Sequence, residues 1–318
     1  MHRWLLAFGL TVLGCNGALA QAYPTKTIRV VVPFSAGSGT DIVARTVMEA
    51  LSRQLGQTII VENRLGGGGT IGIGSVAKAD PDGYTLLIQS TSFAVVSSTY
   101  SKPGYDSIKD FAPITALVSL PNVMIVQANK YKTLKDFVAA AKANPGKMNY
   151  ASAGAGSAAH LNGERFAIAT GTKYQHIPYK GGPEGVTSVM TGETDFYFIP
   201  LPAARGPVAT GKLAILAVSG SARSASLPDV PTTVEAGFPN SEYDFWVGFW
   251  APGGTPKEIV DKLNAETVKV LQDPAVKAKL AGIGGDPLPM KPEQFTAFVK
   301  KEIDINAMLV KASGVKIN

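Results

Sequence analysis

From Thr27 onward the chain alternates two patterns: short, almost wholly apolar runs, and longer stretches in which apolar residues recur every three or four positions. Ile28 to Val32 is a run of the first kind, stopped by Pro33, and reads as a strand covered on both faces. The segment 41–55 is of the second kind, with Ile42, Val43, Val47, Met48 and Leu51 on one helical face and Gly56 as its stop. The same reading predicts strands at 58–61, 85–89, 114–118, 123–126, 148–151, 174–177, 196–199, 213–218 and 245–250. Helices are predicted over 70–79, 134–143, 158–169, 183–191, 255–271 and 292–310, with another ending at Thr210. Such alternation argues an α/β protein with doubly wound parallel sheets, whose ligands lie beyond the carboxyl ends of the strands.

A chain of 318 residues is comfortable for two domains. The adjacent strands 114–118 and 123–126, parted by Ser119-Leu120-Pro121-Asn122, mark one domain crossing. The irregular, Pro-rich return over 227–239 and the strand after it mark the other. The expected organisation is a leader over 1–20, domain I over 21–121 plus 242–318, and an inserted domain II over 122–241. Two crossings make two lobes, with a hinge and a ligand cleft between them.

Two strand-to-helix junctions are candidate anion cradles. The first is Phe34-Ser35-Ala36-Gly37-Ser38-Gly39-Thr40-Asp41. Gly37 and Gly39 permit tight turns, Ser35, Ser38 and Thr40 supply hydroxyls, and the free N–H groups of the helix start point into the loop. Asp41 is expected chiefly to cap and orient that loop. The arrangement recurs 117 residues later, where Ser152, Ala153, Gly154, Gly156 and Ser157 match Ser35, Ala36, Gly37, Gly39 and Thr40 in order and spacing, with Ala155 inside the second turn. Two cradles imply two anchors on opposite walls of one cleft. They would hold a small anion with a carboxylate at one or both ends, without a Lys or Arg. Thr91 and Ser92 follow a strand end in the same way and join the candidates. Tyr179, Phe198 and Phe34, with Phe93 and Trp246, are candidates for an apolar lining that would favour an aromatic or semi-apolar acid by stacking, and Arg205 is a candidate specificity contact.

Composition narrows the chemistry. Arg3, the apolar stretch from Trp4 to Leu13, and Ala18-Leu19-Ala20 read as a cleaved secretory leader, and the apolar run is too short to span a bilayer. Val12-Leu13-Gly14-Cys15 loosely resembles a lipoprotein box, which leaves a lipid-attached form as the alternative. Cys15 is the only cysteine, so the cleaved chain has no disulfide, thiol nucleophile or Cys-bound metal. Lys and Arg number 30 against 24 acidic residues, +6 in all and +5 once Arg3 leaves with the leader; the charge is dispersed, and no basic run suggests nucleic acid. The cleaved chain keeps two histidines, His160 and His176, without metal-ligand spacing, and no Gly-x-Ser-x-Gly elbow is present. No cofactor or metal is expected.

Several stretches then point further. Tyr23-Pro24, Pro33-Phe34-x-x-Gly37-x-x-Thr40-Asp41-Ile42-Val43-Ala44-Arg45, Val61-Glu62-Asn63-Arg64 with the Gly-rich sequel, and Pro81-Asp82-Gly83-Tyr84 form one set. Tyr150-x-Ser152-Ala153-Gly154-x-Gly156-Ser157-x-x-His160, Pro178-Tyr179-Lys180-Gly181, Leu227-Pro228-Asp229-Val230-Pro231-Thr232 and Trp246-x-Gly248 continue it, so the motifs run through nearly the whole cleaved chain. Together they resemble the substrate-binding proteins of tripartite tricarboxylate transporters, also called Bug proteins. The resemblance implies a type II-like, two-lobed periplasmic binding protein, a non-enzyme that acts as a monomer and delivers small organic acids to the transporter's membrane subunits. It also implies that ligand carboxylates meet loop N–H groups and hydroxyls, often through water. Two alternatives stay open: a ligand-dependent sensor partner with the same cleft, and a nucleotide-using enzyme. Gly154-x-Gly156-x-x-Ala159 loosely fits a dinucleotide fingerprint, although Gln175-His176 stand where the acidic ribose ligand belongs.

Overall fold

The computed structural model describes residues 23–315 and 317; the expected leader, with Cys15, lies outside them. The first lobe begins with β1 (Ile28–Val32), α1 (Gly39–Leu55), β2 (Ile59–Asn63), α2 (Thr70–Ala77), β3 (Thr85–Ser90), α3 (Ser92–Thr99) and β4 (Phe111–Leu120). One residue later β5 (Asn122–Gln127) opens the second lobe, followed by α4 (Leu134–Ala143), β6 (Met148–Ser152), α5 (Ala158–Thr170), β7 (Tyr174–Pro178), α6 (Gly182–Thr191), β8 (Phe196–Pro200), α7 (Leu201–Ala209) and β9 (Leu213–Val218). The chain returns to the first lobe with β10 (Phe245–Pro252), α8 (Lys257–Gln272), α9 (Pro274–Gly282), β11 (Asp286–Pro287) and α10 (Pro292–Ser313).

The sheets are mixed rather than wholly parallel. The first runs β11-β4-β10-β3-β1-β2 and the second β7-β6-β8-β5-β9. Pairs built by local crossovers, such as β1 with β2 and β3 or β6 with β7 and β8, are parallel. β10, which arrives from the other lobe, pairs antiparallel with β3 and β4, and β5 pairs antiparallel with β8 and β9. A strand entering from outside has no crossover helix to fix a parallel sense.

Strand alternation distributes the core. Val30 and Val32 pack with Val43, Val47, Leu51, Leu263 and Leu271 on one side of the first sheet, whereas Val31 and Leu87 face Ile73, Val76, Phe295 and Val299 on the other. In the second sheet Tyr197 and Ile199 face α6 and α7 with Val186, Val189 and Ala204, and Phe196 and Phe198 face Phe137 and Phe166 of α4 and α5.

This alternation corrects three expected lining residues. Phe198 is fully buried, its ring 5.3 Å from that of Phe166. Phe93 stacks on Trp250 at 4.4 Å, and Trp246 is buried with its indole N–H donating to Glu302 Oε2 at 2.9 Å. All three serve cores. The α3 helix over Ser92–Thr99 and α9 were not predicted; α3 is a short, almost uniformly apolar segment without helical periodicity.

A polar knot ties the crossings together. The Ser219 N–H donates to Asn122 O at 2.8 Å, its hydroxyl donates to Tyr243 O at 2.9 Å, and it accepts from Asn162 Nδ2 of α5 at 2.9 Å. Ser219, Asn122 and Asn162 are all buried.

The aromatic layer behind the second sheet sets that lobe's stability. Phe198→Ala is expected to lower unfolding free energy by about 3–5 kcal/mol in urea denaturation, the usual cost of emptying a buried aromatic site. A loss under about 1 kcal/mol would place the ring outside the core.

Candidate functional site

The two strand-to-helix junctions are the same physical device. Ser38 caps α1 and Ser157 caps α5, each in extended backbone and each accepting from the third helical N–H, that of Asp41 or His160, at 3.3 Å. Before each cap stands a left-handed glycine, Gly37 (φ 78°) or Gly156 (φ 72°). The Gly37 N–H donates to Asp41 Oδ2 at 2.9 Å, and the Gly156 N–H donates to His160 Nδ1 at 3.1 Å. The Ser38 and Ser157 N–H groups close matching turns onto Ser35 O and Gly154 O, both at 3.1 Å. The true offset of the repeat is therefore 119 residues, from Ser38 to Ser157, rather than the 117 suggested by matching residue types. In each loop the side chain at the third helical position consumes the glycine N–H, so that donor is spent on shaping the turn.

What remains free lies at the helix ends. Among the described residues the N–H groups of Gly39, Thr40 and Ala159 have no acceptor, as first-turn amides lack one within the helix. Gly39 and Thr40 from α1, with Ala158 and Ala159 from α5, line one shared hollow between the lobes. Phe34, Tyr197, Ile199, Pro200 and Phe245 give it apolar walls, and Ser38, Ser90, Ser92 and Ser157 add hydroxyls. Its volume is about 40 Å³, room for roughly three waters by the space each requires. A carboxylate group fits where two positive helix ends converge.

Of the expected site residues, Phe34, Ser38, Gly39, Thr40, Ser92 and Ser157 line this hollow. Gly154, Ala155 and Tyr179 line an adjoining one that shares Phe34 and Ala153 with it. The others stand elsewhere. Ala36 and Gly37 are exposed, Gly37 turned toward Pro183 of the other lobe, and line neither hollow. Both Asp41 carboxylate oxygens are occupied by Gly37, Arg45 and Asn63, so the residue shapes the loop and lies outside both hollows. The Ser152 hydroxyl binds His176 Nε2 at 2.6 Å and accepts from the Gly154 N–H, and Thr91 Oγ1 accepts from the Trp246 N–H at 3.0 Å. Gly156 lies against Tyr100 and Ile317, and the Ser35 hydroxyl is buried against Gly181 without a partner. Phe198, in the core, and Arg205, exposed on α7, reach neither hollow. Sequence reasoning missed Tyr197, Ile199 and Pro200: the run 196–199 is apolar throughout, so period two could not say which face it turns to the cleft.

The lobes touch along a seam. Ser92 Oγ in the first lobe accepts from the Ala158 N–H at 2.9 Å, and Tyr100 OH donates to Ala155 O at 3.0 Å. Glycines make the approach possible: a Cβ on Gly39 would stand 2.7 Å from Pro200 Cβ, and one on Gly68 would run into Ala155 O. Beneath the second cradle the His160 and His176 rings stack 3.8 Å apart. Burial pushes His160 down to about 4, and burial together with its neighbour pushes His176 down to about 3, so both are neutral at pH 7.

With this geometry in place, comparison with known proteins becomes decisive. The model of the tripartite tricarboxylate transporter family receptor matches residues 43–315. The chain belongs to that receptor family. Protein BugT of Bordetella pertussis is 35% identical over 323 residues, covering 100% of this chain and 99% of BugT. The structure of periplasmic binding protein BugD is similar with 36% identity and a TM-score of 0.88, over 92% of this chain and 99% of that one. R. palustris Rpa4515 with adipate gives 32% identity and a TM-score of 0.89, over 92% of this receptor and 98% of that chain. The receptor has the two-lobed periplasmic binding protein fold of these relatives. No helix among the described residues is long and apolar enough to cross a membrane, and no group of three or more His, Cys, Asp or Glu among them is placed to hold a metal ion.

Two outcomes follow from the seam and the histidines. Gly39→Ala costs α1 nothing in helix propensity but sets a methyl group against Pro200, so small-angle scattering should show a larger radius of gyration at unchanged thermal stability. An unchanged radius would mean the seam yields. Because the unfolded chain takes up protons near pH 6.5 and the folded histidines do not until about 4 and 3, their contribution is complete above pH 6.5 and is lost as pH falls below it. The melting temperature should fall between pH 6.5 and 4, and more steeply in the wild type than in His176→Gln; equal slopes would clear the histidines of this role.

Proposed function

We propose that the chain is an exported solute receptor that captures a small organic acid, a mono- or dicarboxylate, by placing its carboxylate at the paired ends of α1 and α5. It then presents the acid to the membrane subunits of a tripartite tricarboxylate transporter. It works in the periplasm as a monomer, after removal of residues 1–20. The observation that carries this reading is that three residues whose N–H groups are unused among the described residues, Gly39, Thr40 and Ala159, line one hollow between lobes that touch around it. The adipate bound by the Rpa4515 structure is a carboxylate of the expected class. Against a dinucleotide, the second Gly loop spends its Gly156 N–H on His160, and Gln175-His176 stand where the acidic ribose ligand belongs.

Magnitudes allow binding without a neighbouring cation. Three or four charge-assisted hydrogen bonds at ~1.5–3 kcal/mol each supply roughly 5–12 kcal/mol gross, and a micromolar complex requires about 8 net. Apolar walls and exclusion of water must provide the rest.

Thermal shift and calorimetry on the leaderless protein, freed of co-purified ligand by unfolding and refolding, test this. A panel of organic acids should include at least one that stabilises by about 2.7 kcal/mol at a hundredfold excess over its dissociation constant. If no acid stabilises the protein while a nucleotide does, the receptor reading is wrong.

A further inference from the structure

Helices α1, α5 and α6 all begin at the central hollow, and the first two carry their own caps, Ser38 and Ser157. The third starts after Gly181 and has no side-chain cap from its own chain. The sequence around it is otherwise that of a capping box, with Glu184 at the third helical position and an extended backbone at the cap, where Gly181 has φ 179°. Pro183 has no N–H, so the donor left for a cap is that of Glu184, which has no acceptor among the described residues. The hydroxyl that the box lacks stands in the other lobe. Ser35 Oγ is buried without a partner, and a Cβ on Gly181 would overlap it, so this hydroxyl fills the place of the missing cap side chain. The Glu184 carboxylate approaches the same point, its Oε2 3.3 Å from where that Cβ would be. The rest of the first loop docks there too: a Cβ on Gly37 would lie 3.7 Å from Pro183 Cγ, and one on Gly182 3.8 Å from Ser38 Cα.

We propose that Ser35 is the N-cap of α6 supplied from the opposite lobe, its hydroxyl accepting from the Glu184 N–H as the lobes close and returning to solvent as they part. Ser35 is then a positioning residue rather than a ligand contact: it holds the first cradle against α6, whose first residue Gly182 lines the hollow. Helices α1 and α5 keep their caps whether the lobes are open or closed, and α6 is capped only when they are closed. Closure therefore tightens the first turn of α6 and opening loosens it, whichever solute is bound.

Hydrogen exchange and small-angle scattering on the leaderless protein, freed of co-purified ligand, test this. Ser35→Ala should speed exchange at Glu184 by about fivefold, the usual worth of one cap, and raise the radius of gyration while circular dichroism shows the fold intact. Combining Ser35→Gly with Gly181→Ser moves the hydroxyl onto α6 itself, into the space that Ser35 vacates and on an extended backbone that serine adopts freely. That double variant should recover slow exchange at Glu184 yet stay expanded, because its cap no longer spans the lobes. A serine that only shaped its own loop would instead alter exchange over 35–41 and leave Glu184 unchanged. That result, or a double variant as compact as the wild type, would overturn the proposal.

Discussion

The arrangement depends on two lobes meeting through glycines. Gly39 faces the Pro200 ring, Gly68 faces Ala155 O, and Gly181 faces the Ser35 side chain, so at each of these points one side of the seam has no side chain. Amide groups are short and fixed. To point them at a ligand from both sides, the opposing loops must come closer than almost any side chain permits, and glycine is the residue that permits it. The apolar walls, the hydroxyl rim and the contact from Ser92 to the Ala158 N–H are useful only once this approach is made.

The two cradles also show how one backbone geometry is reached with different side chains. Asp41 and His160 occupy the same helical position and accept the same glycine N–H, yet one is a carboxylate compensated by Arg45 and the other a neutral imidazole stacked on its neighbour. Pairing Asp41 with Arg45 keeps an uncompensated negative charge away from a site that would otherwise repel an acid. In the second loop burial does the equivalent work by holding His160 uncharged, which preserves the ring nitrogen as an acceptor.

Much of this was legible in the chain. Alternating apolar runs and helical periodicity marked β1, α1 and most later elements, and Ser-Gly punctuation marked both junctions. The repeat was found two residues out of register, because matching Ser to Ser aligned residue types, whereas the structure aligns caps: Ser38 with Ser157. Phe198 was misplaced for a related reason. In a strand buried on both faces every residue is apolar, and composition cannot tell Tyr197, which faces the cleft side, from Phe198, which faces α5. The antiparallel sense of β5 and β10 was likewise hidden, since strand direction follows from where the chain re-enters and leaves no local mark.

The knot at the crossings has a mechanical consequence. Asn162, which grips Ser219, lies on α5 little more than a turn below the Ser157 cap. One stiff rod therefore carries a fulcrum in its second turn and a tip at the cleft just beyond it. Any rotation at the pivot is delivered to the tip as a swing of the amides themselves, without slack from an intervening loop, so opening the jaw and withdrawing its grip become a single movement.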